Sequence, residues 1–163
     1  MLREGEPVPD FTLPVAYADG RKDEVEFRSL LGQGPIVLSF FPLAFTGTCT
    51  TQMCDARDHQ ATFASAHARV FGFSCDTVYS NVRFAREHAL PHGIFSDANR
   101  DVVDIIWESY DVAGVRRVPR RGFMVVGPDG RVRAVHVQAP GTPWVGNQAI
   151  EDAIAKAERL TAA

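Results

Sequence analysis

The sequence predicts an α/β fold, a mixed central β-sheet flanked by helices, with residues 1–163 forming a single domain. Three observations predict it. Residues 35–41 and 70–74 are continuous apolar runs of strand length, as expected of buried parallel strands. Each is followed by a stretch of helical character. A third apolar run, Gly122 to Val126, joins the stretch Val132 to Val137 through the turn signal Gly127-Pro128-Asp129-Gly130, the pattern of an antiparallel hairpin. A length of 163 residues suits one domain with a substantial core.

Taken in order, the first strand, 35–41, leads into a helix from Cys49 to about Ala66, where Met53, Ala56, Phe63 and Ala64 make a partial apolar stripe. Val70 to Ser74 is the second core strand. Ser80 then caps a helix over 81–89, and Asp97 caps another over 98–110, in which Trp107 is a core residue. The hairpin follows, and a last helix runs from near Asn147 to about Leu160. This connectivity is that of a thioredoxin-like domain. Such a fold hosts many activities, so function has to come from particular residues.

Composition excludes several classes. Three cysteines are too few, and odd in number, for a disulfide framework. The longest apolar run, 35–45, is broken by Pro42 and too short to span a bilayer. The first six residues carry charges where a signal peptide would be apolar, so a cytoplasmic, reducing location is expected. Cationic charge is almost all arginine, fifteen against two lysines, and six arginines fall between Arg116 and Arg133. With a net charge of −3 and no interleaved aromatics, this cluster reads as a solvated hairpin with one or two functional members, not as a nucleic-acid surface.

The stretch from Phe40 to Cys54 carries the chemistry. It leaves a core strand and opens a helix, which puts Cys49 near a helix N-terminus at the carboxyl edge of the sheet, where α/β folds place ligands. The unpaired amides there favour an anion, and for cysteine the anion is the thiolate. A free thiol with a pKa of about 8.5 is only a few per cent ionised at neutral pH, whereas helix N-termini and cationic neighbours bring thiols down to roughly 3.5–7.5.

The spacing Pro42-x-x-x-Thr46-x-x-Cys49 resembles the active-site loop of peroxiredoxins. Two further segments extend the resemblance in the right order: Gly5 to Pro14 is similar to the family's opening, and Arg121 to Gly130 to its arginine-bearing hairpin. Tyr110-Asp111-Val112 resembles the usual Tyr-Gly-Val. The resemblance implies a thiol peroxidase in which Cys49 is the nucleophile and Thr46 directs its hydroxyl at the thiolate and peroxide. Arg121 would stabilise the thiolate and leaving oxygen, and Pro42 shield the site. It implies no metal or organic cofactor.

Cys49 to Asp58 closely resembles the bacterioferritin-comigratory-protein (PrxQ) branch, which implies Cys54 as the resolving thiol of an intramolecular disulfide, re-reduced by thioredoxin or a similar thiol. Phe41 to Cys49 is more like the one-cysteine AhpE-type branch, which would use an external thiol. The first likeness suggests a monomer and the second a homodimer. Geometry adds a condition. In a helix, five residues advance about 7.5 Å and turn about 500°, leaving the Cα atoms roughly 8.5–9 Å apart, beyond the roughly 4.4–6.8 Å that a disulfide needs. Pairing of Cys49 with Cys54 therefore requires one or two helical turns to unwind. Cys75, ending a core strand, reads as structural, with resolution as its lesser role. Competing readings are a thiol–disulfide exchange enzyme, which normally has Cys-x-x-Cys, and a Sco-like copper protein using Cys49, Cys54 and His136. Phe41, Phe45, Trp107 and Trp144 are candidates for an apolar entrance, the core or a dimer contact.

Overall fold

A computed structural model describes residues 1–162, with side chains to Leu160. Its central sheet has seven strands: β1 (Thr12–Ala16), β2 (Lys22–Glu26), β3 (Ile36–Phe40), β4 (Arg69–Ser74), β5 (Ile94–Ser96), β8 (Gly122–Val126) and β9 (Val132–Val137). Their spatial order is β2-β1-β5-β4-β3-β8-β9, and a separate two-stranded hairpin holds β6 (Ser109–Val112) and β7 (Val115–Pro119). Strands β3, β4 and β5 run parallel, while β1, β8 and β9 pair antiparallel. The sheet is mixed, as the sequence predicts. The middle strands β3 and β8 are buried along their whole length, which is why they read as continuous apolar runs.

The two faces of β3 have different tasks. Ile36, Leu38 and Phe40 enter a cluster with Phe71, Phe73, Phe95, Met124 and Trp107. Val37 and Ser39, alternating with them, face the helical layer: α1 (Gly47–Asp58), α2 (Gln60–Ser65), α3 (Val78–Glu87) and α5 (Gln148–Ala162). Met53 of α1 packs with Phe41, Phe84 and Ile94, so α1 is pressed onto the sheet along the side that carries Cys49.

Several elements differ from the sequence reading. The helix expected over 49–66 begins at Gly47 and breaks at His59, whose ψ of 11° leaves α-helical geometry, giving α1 and α2. Ser80 is not the cap of α3. Thr77 is, its hydroxyl accepting the Ser80 N–H at 3.2 Å, and the helix starts three residues sooner. The largest departure is at 98–110. Asp97 is not the N-cap: it accepts the N–H groups of Asp101, Val102 and Val103 from further upstream, Val102 holds the cap position, and the helix α4 is only Val103–Ile106. Trp107 then turns extended, stacks on Phe40 with ring centroids 4.0 Å apart and donates its indole N–H to the Arg120 carbonyl. Burying that ring outweighs continuing the helix, so Tyr110 emerges in β6 instead of a helix. Trp107 is nonetheless core, as expected. The edge hairpin β1–β2 and the short β5 were not foreseen. Lys22 to Glu26 is mostly charged and solvent-facing, and three residues give too little periodicity to read.

Candidate active site

Strand β3 ends at Phe40 and the chain passes through residues 41–46 into α1. This loop is held at three points. The Ala44 N–H donates to Asp76 Oδ2 at 2.9 Å, the Thr46 hydroxyl donates to the Leu43 carbonyl at 2.8 Å, and the Phe45 ring lies on Phe84 with centroids 5.3 Å apart. Phe45 sits at φ 66°, a left-handed conformation costly for a bulky side chain, and the three ties hold it there. Thr46 occupies the N-cap position of α1, so Gly47, Thr48 and Cys49 supply the first amides of the helix.

Cys49 is buried, 1% exposed, yet a cavity of about 340 Å³ opens onto it. Pro42, Leu43, Thr46, Gly47, Thr48, Tyr110, Val112, Ala113 and Arg121 line this cavity with Cys49. The sequence-predicted residues Pro42, Thr46, Cys49 and Arg121 are thus brought to one place from a loop, a helix and the start of β8. The Arg121 Nη1 lies 3.4 Å from the Cys49 Sγ and donates to Gln52 Oε1 at 2.9 Å. The guanidinium and the first turn of α1 together surround the sulfur with positive potential. Such a site can hold a sulfur anion and supply N–H donors to an oxygen that gains charge beside it.

Gln52 was missed from the sequence. It is fully buried and three residues beyond Cys49, on nearly the same helix face. Its Nε2 donates to Ser39 Oγ at 2.8 Å and to the Phe40 carbonyl at 2.9 Å, and its Oε1 receives Arg121. The side chain thereby ties β3, α1 and the arginine together. The clue available was that i+3 spacing, but a mid-helix glutamine ordinarily reads as surface. Asp76 was missed too, since its contact with Ala44 spans 32 residues. Gly122 fixes where Arg121 departs from β8. A Cβ there would lie 2.0 Å from the His136 carbonyl oxygen and 2.9 Å from the Trp107 ring.

The other five clustered arginines lie outside the cavity. Arg117 pairs with Asp104, Arg120 with Glu108 and Arg133 with Asp129, Arg131 donates to the Gly5 carbonyl, and Arg116 is exposed. Cys54 is half-buried in the same α1 as Cys49, bordering a separate shallow cleft with Thr50, Thr51, Asp55 and Asp58. All three cysteines are free. Cys75 belongs to the cluster on the opposite sheet face from Cys49, and burial, aided by the nearby Asp97 carboxylate, pushes its thiol up to about 12. The His136 ring stacks on Phe123, and the described residues contain no group of three or more His, Cys, Asp or Glu placed to hold a metal. Phe41 is core, Phe45 half exposed beside the cavity, and Trp144 half-buried against α1. No described helix is long and apolar enough to cross a membrane.

Comparison with known proteins agrees with this geometry. A putative peroxiredoxin of Mycobacterium tuberculosis is 31% identical over 131 residues, 80% of this chain and 82% of that protein. The chloroplastic peroxiredoxin Q of Suaeda salsa is 33% identical over 135 residues, 83% of this chain and 60% of the longer relative. The crystal structure of peroxidoxin BcpB from Mycobacterium tuberculosis superposes with a TM-score of 0.81 at 27% identity, covering 98% of this chain and 99% of that one. The Enterococcus faecalis AhpC structure matches with a TM-score of 0.85 at 19% identity, over 99% of this chain and 95% of that one, a likeness of fold. The similarity to peroxiredoxin Q and BcpB supports the PrxQ branch. With the AhpC/TSA family model matching residues 5–135, the chain belongs to the AhpC/TSA family, the peroxiredoxins, and is a thiol-dependent peroxidase.

Proposed function

We propose that Cys49 is the peroxidatic nucleophile of this peroxidase, reducing hydrogen peroxide and organic hydroperoxides. The observation that carries the reading is the 3.4 Å approach of Arg121 Nη1 to Cys49 Sγ at the floor of a cavity that Thr46 and Pro42 also line. The thiolate attacks the terminal peroxide oxygen, the O–O bond breaks, and Cys49 becomes a sulfenic acid while the alkoxide or hydroxide leaves. Arg121 stabilises charge on both sulfur and leaving oxygen. The Thr46 hydroxyl spends its proton on the Leu43 carbonyl, so it faces the substrate as an acceptor for the hydroperoxide O–H. Pro42 walls the sulfur from bulk water. The peroxide supplies the oxidising power, so the cycle requires no metal or organic cofactor.

Cys54 then resolves the sulfenic acid: its sulfur bonds to the Cys49 sulfur, water leaves, and thioredoxin or a similar thiol reductant reduces the disulfide. The high pKa of Cys75 makes it a poor nucleophile for that step. The active unit is one domain over 1–163, a monomer or homodimer in the cytoplasm, with no nucleic-acid or membrane partner. One observation favours an alternative, a one-cysteine cycle with an external thiol. Cys49 and Cys54 both sit in an unbroken α1, where their sulfurs cannot meet. Non-reducing peptide mapping after one equivalent of peroxide separates the two. A Cys49–Cys54 linkage is expected. A Cys49–Cys75 linkage, or none, rejects Cys54 as resolver.

A further inference from the structure

Cys54 is followed by a stretch of α1 that is tied to distant parts of the chain. The Asp55 Oδ2 accepts the indole N–H of Trp144 at 3.0 Å. The His59 Nδ1 lies 2.9 Å from the Asp55 carbonyl oxygen and 3.0 Å from the Asn147 Nδ2, and Arg57 Nη1 donates to the His88 carbonyl at 2.8 Å. Trp144 comes from elsewhere, the segment 139–147 that joins β9 to α5. Gln138 shapes that segment. Its Nε2 donates to Thr142 Oγ1 at 3.1 Å and to the Pro143 carbonyl at 2.6 Å, while its Oε1 accepts the Val145 N–H at 3.1 Å. The segment is therefore a formed strap across α1.

We propose that the Trp144–Asp55 hydrogen bond is a latch on the resolving cysteine, making Trp144 a positioning residue that sets the rate of disulfide formation without touching the peroxide step. The inference rests on the Cys49–Cys54 cycle given above. Five helical residues place the two cysteines about 140° apart around the axis, so Cys54 must swing round or Cys49 must. Swinging Cys49 pulls on Gln52, whose buried side chain is bound to Ser39, Phe40 and Arg121. Swinging Cys54 carries Asp55 with it, because adjacent Cα atoms are about 3.8 Å apart, and so requires the indole to let go. The peroxide step moves neither residue. The latch therefore acts only on Cys49–SOH + Cys54–SH → Cys49–S–S–Cys54 + H₂O. In competition, a second peroxide converts Cys49–SOH to the sulfinic acid, releasing the reduced alcohol or water. A slow resolving step leaves more time for that loss.

Quench-flow mass spectrometry of the full chain reads both steps. In Trp144→Phe, which keeps the ring and loses the N–H, and in Asp55→Ala, disulfide formation is expected to run about tenfold faster, the size of one carboxylate hydrogen bond. Sulfenic acid formation is expected to stay within about twofold, and the peroxide concentration that overoxidises half the protein to rise about tenfold. The double variant is expected to match Asp55→Ala, because that single change already removes the Trp144 bond, together with the 3.5 Å contact of Asp55 Oδ1 with His59 Nδ1, and leaves Trp144→Phe nothing further to remove. An unchanged disulfide rate, equal changes in both steps, or additive singles would overturn the latch. A wild-type protein that forms no Cys49–Cys54 disulfide overturns the cycle itself, and the latch with it. Should either variant fail to fold, Asp55→Asn keeps shape and acceptor but not charge, and is expected to give a smaller acceleration of the same single step.

Discussion

Cys49 and Cys75 follow the carboxyl ends of adjacent parallel strands, and both are buried, 1% and 7% exposed. Their surroundings carry opposite charge. Cys49 has a guanidinium at 3.4 Å and the first turn of α1 around it, whereas Cys75 has Asp97 and no helix N-terminus of its own. Burial alone therefore does not decide whether a thiol reacts. Burial is the first cause of the raised Cys75 pKa and Asp97 adds to it, whereas Cys49 is buried beside a guanidinium donor, and an ion in a low-dielectric recess is costly unless a preorganised opposite charge meets it.

The comparison predicts a large asymmetry between serine replacements. Cys49→Ser is expected to lower peroxide turnover by about 10³-fold or more, since Cys49 is the thiol that lines the cavity and accepts from Arg121. Cys75→Ser is expected to stay within about twofold. Steady-state peroxidase assays with a saturating thiol reductant check both, and a large loss in Cys75→Ser would break the comparison. Alkylation tests the Cys75 side directly. A thiol with a pKa of about 12 has roughly 10⁻⁵ of its population ionised at pH 7. Native Cys75 is expected to react with iodoacetamide about a thousandfold slower than an unperturbed cysteine, by peptide mass spectrometry of timed samples.

The next effect is smaller and locates the charge. Arg121→Ala is expected to slow sulfenic acid formation about 10²–10³-fold, the usual loss for one donor aimed at a developing oxyanion. Gln52→Leu leaves the guanidinium present but unheld, and is expected to cost about tenfold in the same stopped-flow measurement. Were Gln52→Leu as damaging as Arg121→Ala, Gln52 would be acting on substrate and not through the arginine.

Pro42, Thr46 and Cys49 fall within eight consecutive residues between a core strand and a helix, so their spacing could carry the resemblance to the peroxiredoxin loop, whereas Arg121 stood out from its five clustered neighbours only through the resemblance of its hairpin. Gln52 and Asp76 were not legible, since each gains its meaning from a partner that only the fold supplies. The fold shows the same division. Runs such as 36–40 and 122–126, buried on both faces, announce themselves. Residues 98–110 carry helix-compatible residues and an acceptor for backbone N–H groups at Asp97, but the Trp107 side chain finds Phe40 and the Arg120 carbonyl, and tertiary burial overrides the local preference.

His92 extends the comparison to a buried group that has no charge partner of either sign. It is 5% exposed, and neither ring nitrogen has a hydrogen-bond partner among the described residues. Burial brings its pKa down to about 4 from the ordinary 6.5. A depressed folded-state pKa means that the unfolded chain binds the proton more readily. The stability that the neutral ring contributes is fully present above about pH 6.5 and is lost as pH falls through that value towards 4. A shift of this size corresponds to about 3 kcal/mol across the window. Urea unfolding at intervals from pH 7.5 to 4 should show that slope, and His92→Phe should flatten it while the loss below pH 4 from the carboxylates persists. An equal slope in the variant would mean that the imidazole is already solvated or partnered, and that burial of His92 contributes nothing to acid sensitivity.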